Sequence, residues 1–254
     1  MTTARPPAYD DQVVRVRGLQ VRVRVAGDGP PLLLLNGLTR PLESWGPVTQ
    51  ALSGRTIVSF DAPGVGGSPT PILPLSISML AGLAASVLDE AGLDGADVLG
   101  FSHGGAVAQQ LAVDAPARVR RLVLVSTSCG LGATPGSQDA LRGLHPPSDA
   151  RPWPLPDALG TLWHFLAISS WSSIPFLGAI RAPTLVVCGT RDRVVPPTNS
   201  TLLARRIPGA ELVMLPVGHD LQRRGPAQAL VSTVEPFLAT SPAARLSERE
   251  AYVL

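Results

Sequence analysis

What most constrains the fold of this chain is a series of short, nearly unbroken apolar runs. Leu32-Leu33-Leu34-Leu35, Thr56-Ile57-Val58-Ser59-Phe60, Val98-Leu99-Gly100-Phe101, Leu122-Val123-Leu124-Val125 and Leu185-Val186-Val187-Cys188 each have strand length and little polar alternation. A strand with one wet face alternates, whereas one that is apolar throughout must be covered on both faces, as in a parallel sheet. Glu211-Leu212-Val213-Met214-Leu215 reads as a last strand. Between these runs, residues 78–91, 103–113, 198–207 and 227–238 repeat apolar positions at helical spacing, the last behind Pro226. Ahead of them, residues 13–25 alternate valine and arginine around Gly18-Leu19-Gln20, the pattern of a hairpin with one solvated face. The order predicts an α/β fold, a mostly parallel, doubly wound sheet entered through an antiparallel hairpin.

One stretch breaks the alternation. Residues 130–182 hold seven prolines and three of the four tryptophans, Trp153, Trp163 and Trp171, with no clear strand. An excursion of this length in a compact domain is commonly functional, and it is expected to be a short lid whose tryptophans line a substrate pocket. The organisation is then a core over residues 1–129, a lid over 130–182, the rest of the core over 183–240 and a charged tail over 241–254.

Charge and composition exclude several functions. Hydrophobic residues are 45% and charged residues 16%, which fits a compact globular chain. Net charge is only +2, and the paired arginines 120–121, 205–206 and 223–224 have no interleaved aromatics, so no nucleic-acid partner is expected. Residues 1–12 are polar and no apolar run is long enough to span a bilayer, so no signal peptide and no membrane association are expected. Two cysteines, Cys129 and Cys188, make no disulfide framework and are expected as reduced thiols in a cytoplasmic protein. Histidine and cysteine spacing suggests no metal site. Gly64-Val65-Gly66-Gly67 lies between Pro63 and Pro69 with no helix to follow, which argues against a nucleotide loop; no cofactor is expected.

The chemistry centres on Gly100-Phe101-Ser102-His103-Gly104. An apolar strand runs into it and an apolar-periodic segment leaves it, the context in which a serine sits exposed on a sharp strand-to-helix turn. Serine needs a base to take its proton. Of four histidines, His219 follows the last strand, at the sheet edge where active sites of open α/β sheets gather. The base needs an acid to fix its tautomer. Asp192 follows the strand ending at Cys188-Gly189, and the order serine, aspartate, histidine is that of α/β hydrolases. Asp220 is a weaker candidate acid, and Asp61 reads as a turn residue. Oxyanion donors are expected at the backbone N–H of His103 and, in the loop Asn36-Gly37-Leu38-Thr39, at that of Leu38, with the Asn36 amide bracing the loop.

Taken together, Asn36-Gly37, Asp61-Ala62-Pro63-Gly64-Val65-Gly66-Gly67-Ser68, Ser102 through Gln109-Gln110, Trp171-Ser172-Ser173-Ile174 and Gly218-His219 resemble the intracellular depolymerases of medium-chain-length polyhydroxyalkanoates. The likeness spans most of residues 31–240. It implies the α/β-hydrolase fold and an ester hydrolase with a lidded apolar pocket, acting on a small-molecule or polymeric ester. His103 departs from the tryptophan usual in that family, and the insertion is shorter and richer in proline. A thioesterase or cyclase would use the same three residues, and a non-catalytic ligand receptor could keep the pocket without the chemistry.

Overall fold

The computed structural model describes residues 11–138 and 157–240. Trp153, most of the proline-rich part of the insertion and the tail 241–254 lie outside them. Eight strands form one sheet: β1 (Asp11–Val16), β2 (Leu19–Ala26), β3 (Pro31–Leu35), β4 (Thr56–Phe60), β5 (Ala96–Phe101), β6 (Val119–Val125), β7 (Thr184–Gly189) and β8 (Glu211–Leu215). Their spatial order is β1-β2-β4-β3-β5-β6-β7-β8. β1 and β2 pair antiparallel, β2 joins β4 antiparallel, and every later pairing is parallel. The expected hairpin and all six later strands are present.

The apolar runs are buried on both faces, as their composition requires. Leu33, Leu35, Val58, Val98, Leu122 and Leu124 belong to one core, packed with α2 (Ile77–Glu90), α3 (His103–Asp114) and α5 (Pro197–Arg206). Leu32, Leu34, Leu99, Val123, Val125 and Val187 point the other way, into a second core with α1 (Gly46–Ala51) and α6 (Arg224–Ala239). Helix α6 starts two residues ahead of Pro226. The proline then falls in the first turn, where a helix has no use for its missing N–H.

Helix α4 (Ala158–Ser169) has no counterpart in the sequence reading. Its pattern is inverted. Gly160, His164 and Ala167 are its buried residues, while Leu159, Leu162, Phe165 and Leu166 are exposed. The helix is fastened to the loop 61–71. His164 Nε2–H donates to Pro63 O at 2.9 Å, Trp163 Nε1–H to Pro71 O at 3.1 Å, and Thr70 bonds Asp157. At Gly160 a Cβ would lie 2.4 Å from the Gly64 carbonyl oxygen, so the two backbones touch. Beyond the helix, Trp171 Nε1–H donates to Gln110 and the Ser173 hydroxyl to Gln109, each at 2.7 Å. No helix among the described residues is long and apolar enough to cross a membrane.

Candidate active site

Ser102 stands between β5 and α3 with φ 52° and ψ −116°, backbone that a side chain rarely adopts. The turn is pinned on both sides. Ser102 N–H donates to Val125 O at 2.9 Å, and the Thr127 hydroxyl donates to Ser102 O at 2.7 Å. Small residues around it have a steric reason. A Cβ at Gly104 would lie 2.1 Å from Leu35 O, so only glycine lets the start of α3 lie against the end of β3. That contact sets the loop after β3 beside the serine turn.

Asp192 follows β7 and is buried. Its Oδ1 accepts from the N–H groups of Val194 and Val195 at 2.9 and 2.8 Å. Its Oδ2 lies 2.8 Å from His219 Nδ1. A carboxylate can only accept, so Nδ1 carries a proton, and the neutral tautomer this selects has its lone pair on Nε2. The His219 ring packs against Phe101, the residue before the serine, with centroids 5.2 Å apart. Thus the structure gathers Ser102, Asp192 and His219 at the carboxyl edge of the sheet, from the ends of β5, β7 and β8. Among the described residues no hydrogen bond joins the Ser102 hydroxyl to the His219 imidazole; catalytic hydrogen bonds of this kind tighten in the substrate complex.

The Asn36 side chain braces its loop as expected. Its amide donates to Pro41 O at 2.8 Å, and its Oδ1 accepts from Ser44 at 3.0 Å and from Gln222 at 2.8 Å. Asp220 does not serve His219. It takes a bidentate pair from Arg40, whose guanidinium also lies over the Phe101 ring at 5.2 Å and donates to Gln222 at 2.9 Å. Asp61 is more than a turn residue. Wholly buried, it accepts from Leu42 N–H at 2.7 Å, Gly67 N–H at 2.8 Å and Arg22 at 3.2 Å. Burial pushes its carboxyl above the usual range against the pull of those donors.

A narrow cavity of about 30 Å³, opening into a wider mouth, abuts the serine turn. It is lined by Asn36, Gly37, Thr39 and Arg40 of the β3 loop, by His103 and Gly104, by His164 and by apolar residues of the core such as Phe60 and Leu80. Of the tryptophans expected to line a substrate pocket, Trp163 and Trp171 fall within the described residues. Trp163 and Trp171 are not among the lining residues. Trp171 packs edge-on against Phe176 in the core and is held by Gln110, because an indole buried there must satisfy its N–H. His164 is the aromatic residue that α4 contributes to the lining. No sequence signal marked it, since α4 itself was not visible. Ser126, at the end of β6, is a second buried serine with positive φ, 45°.

A mostly parallel sheet with a serine on a strand-to-helix turn and an acid–histidine pair beyond two later strands is an arrangement that α/β hydrolases share. A family model described as the alpha/beta hydrolase fold matches residues 30–162 and 131–226, and the chain belongs to that family. It is 34% identical over 247 residues to the poly(3-hydroxyalkanoate) depolymerase of Ectopseudomonas oleovorans, covering 84% of this chain and 87% of that one. It is 30% identical over 223 residues to a putative carbamate hydrolase of Azorhizobium caulinodans, covering 74% and 83%. The solved structure of a hydrolase from Pseudomonas aeruginosa PA01 superposes with TM-score 0.80 at 28% identity, over 93% of this chain and all of that one. Among the described residues no group of three or more His, Cys, Asp or Glu could hold a metal ion.

Proposed function

We propose that the protein is a serine hydrolase of carboxylic esters with an apolar acyl or hydroxyacyl part, working through an acyl-enzyme. The observation that carries this reading is the Asp192–His219 pair beside the strained Ser102 turn. Ser102 Oγ attacks the ester carbonyl as its proton passes to His219 Nε2. Asp192 holds the tautomer and stabilises the imidazolium. The developing oxyanion is held by the N–H groups of His103, at the free N-terminus of α3, and of Leu38. His219 returns its proton to the leaving alcohol, then activates the water that releases the acid.

Helix α4 is the lid of this reading. Its outward apolar face, with Phe165 57% exposed, suits an apolar or polymeric substrate, and the chain just after the loop it is tied to adds exposed Ile72 and Leu73. The relationship to a polyester depolymerase points the same way. The test is a fluorophosphonate probe together with a panel of acyl esters and matching thioesters. Labelling of the wild type but not of Ser102→Ala, with turnover of esters lowered on the order of a million-fold in that variant, is the expected result. Ligand binding without labelling would mean a receptor, and thioesters preferred over esters would mean a thioesterase.

A further inference from the structure

Thr39 has φ 59°, left-handed backbone that a β-branched residue rarely takes. It is third in the four-residue turn Gly37-Leu38-Thr39-Arg40, closed by Arg40 N–H donating to Gly37 O at 3.2 Å. Positive φ at that position is normally left to glycine or asparagine. Such strain persists only where the surroundings hold it, and it gathers at functional sites. Here one side chain holds both ends of the turn. The Gln222 amide donates from Nε2 to Asn36 Oδ1, just ahead of the turn, at 2.8 Å. Its Oε1 accepts from the guanidinium of Arg40, the last residue of the turn, at 2.9 Å. The polarity is forced. Arg40 can only donate, and Pro41 O, which takes the Asn36 amide N–H at 2.8 Å, can only accept, so neither amide can be reversed without losing its bonds. Gln222 is buried and anchored beside the base. Its N–H donates to Asp220 Oδ1 at 3.3 Å, Leu221 N–H donates to His219 O at 3.0 Å, and the Leu221 side chain is buried in the second core.

We propose that Gln222 is a positioning residue that holds the Gly37–Arg40 turn in its strained form and so keeps the Leu38 N–H aimed at the oxyanion. The proposal rests on the reading of Ser102 as nucleophile and Leu38 as oxyanion donor. Freed of this clamp, a threonine relaxes toward negative φ, the turn changes shape, and the N–H one residue ahead leaves its place. The Arg40–Asp220 pair is no substitute. It holds only the far end of the turn and is partly open to solvent, whereas the buried Gln222 amide holds both ends. Preorganisation of this sort acts on the transition state, because the negative charge it serves appears on the carbonyl oxygen only as Ser102 Oγ adds. A loss at Gln222 therefore falls on kcat and spares KM.

The experiment is a double-mutant cycle of Gln222→Met and Thr39→Gly, read by kcat and KM on a simple acyl ester. Gln222→Met should lower kcat about 10- to 100-fold with KM changed less than about twofold, since a misplaced donor costs nearly what a missing one does. Glycine takes positive φ without strain, so in the Thr39→Gly background the same change should lower kcat by less than about threefold. A residue that only supported the fold would cost the same in both backgrounds. In parallel, the amide chemical shifts of Leu38 and Thr39 in isotope-labelled protein should move in Gln222→Met. In the Thr39→Gly background the Leu38 shift should stay in place when Gln222→Met is added. This second readout needs no catalysis. Absent fluorophosphonate labelling of the wild type would overturn the esterase reading, while the shifts would still decide whether Gln222 holds the turn. Should Gln222→Met fail to fold, Gln222→Glu, which keeps the Arg40 bond but has no N–H for Asn36, is read in the same way. Unmoved shifts, or an equal loss of kcat in both backgrounds, would overturn the proposal.

Discussion

Arg40 and Asp220, 180 positions apart in the chain, meet in a bidentate pair with both N···O distances at 3.0 Å. The pair ties the loop after β3 to the loop that carries His219. The Phe101 ring contacts both the Arg40 guanidinium and the His219 ring. The proposed oxyanion loop, nucleophile and base are thereby referenced to one another, through a bidentate guanidinium and two packed rings.

Breaking that tie should misplace groups rather than remove them. Asp220→Ala and Arg40→Met are each expected to lower kcat about 10- to 100-fold with a smaller change in KM, since small misplacements are costly in rate. A double-mutant cycle on kcat should give a coupling of about 1 kcal/mol or more. Strict additivity of the two variants would show that the pair does no positioning.

Asp192→Asn tests the acid while sparing the fold. Its amide oxygen can still accept from the Val194 and Val195 N–H groups, but its other group is an NH₂ facing His219 Nδ1, which favours the opposite tautomer. Turnover is expected to drop on the order of 10⁴-fold with little change in thermal unfolding. A comparable loss of melting temperature would mean that Asp192 matters mainly for its loop.

Stability should fall on mild acidification. His103 is ordinarily protonated below pH 6.5, yet burial holds it neutral in the folded chain down to about 3. Above pH 6.5 both states are neutral and the group contributes nothing. Between 6.5 and 3 the unfolded chain binds a proton that the folded chain refuses, so stability declines with a slope approaching about 1.4 kcal/mol per pH unit. His164 is shifted the same way by burial. Urea midpoints from pH 7 to pH 4 should decline less steeply in His103→Phe than in the wild type.

At the opposite edge of the sheet, Asp97 is buried between Arg55 at 2.8 Å and Arg121 at 2.9 Å. Asp97→Ala leaves two confined guanidinium groups without their carboxylate and should cost about 3–5 kcal/mol by urea unfolding. Because this cluster lies away from the serine turn, kcat measured well below the unfolding transition should stay within about twofold. A larger change would couple the two edges of the sheet.

Strands were legible in the sequence because burial on both faces leaves no alternation to confuse, and Asp192 and His219 could be placed once the strands were counted. Ser102 was legible because its neighbours had to be glycine. The wall of the pocket was not. Helix α4 hides its small and polar residues and shows its leucines, so apolar periodicity points to the wrong face. Trp171 looked like pocket lining because aromatic residues often are, but its partner Gln110 lies across the fold, and one-dimensional spacing carries no trace of that bond. Nor could spacing reveal that Gln109 reaches Ser173, which binds the far end of the insertion to α3.

Helix α4 is anchored at Asp157, Gly160, Trp163 and His164, and the chain just beyond it at Trp171. As the proposed lid, a segment fastened at so many points should open only together with the loop 61–71 to which it is bound. Ligands would then be sorted by a standing shape, and association should follow a single fast exponential with no lag at an oil–water interface. Loosening one rivet, by Gly160→Val against the Gly64 backbone, is the change that would introduce a slow opening phase.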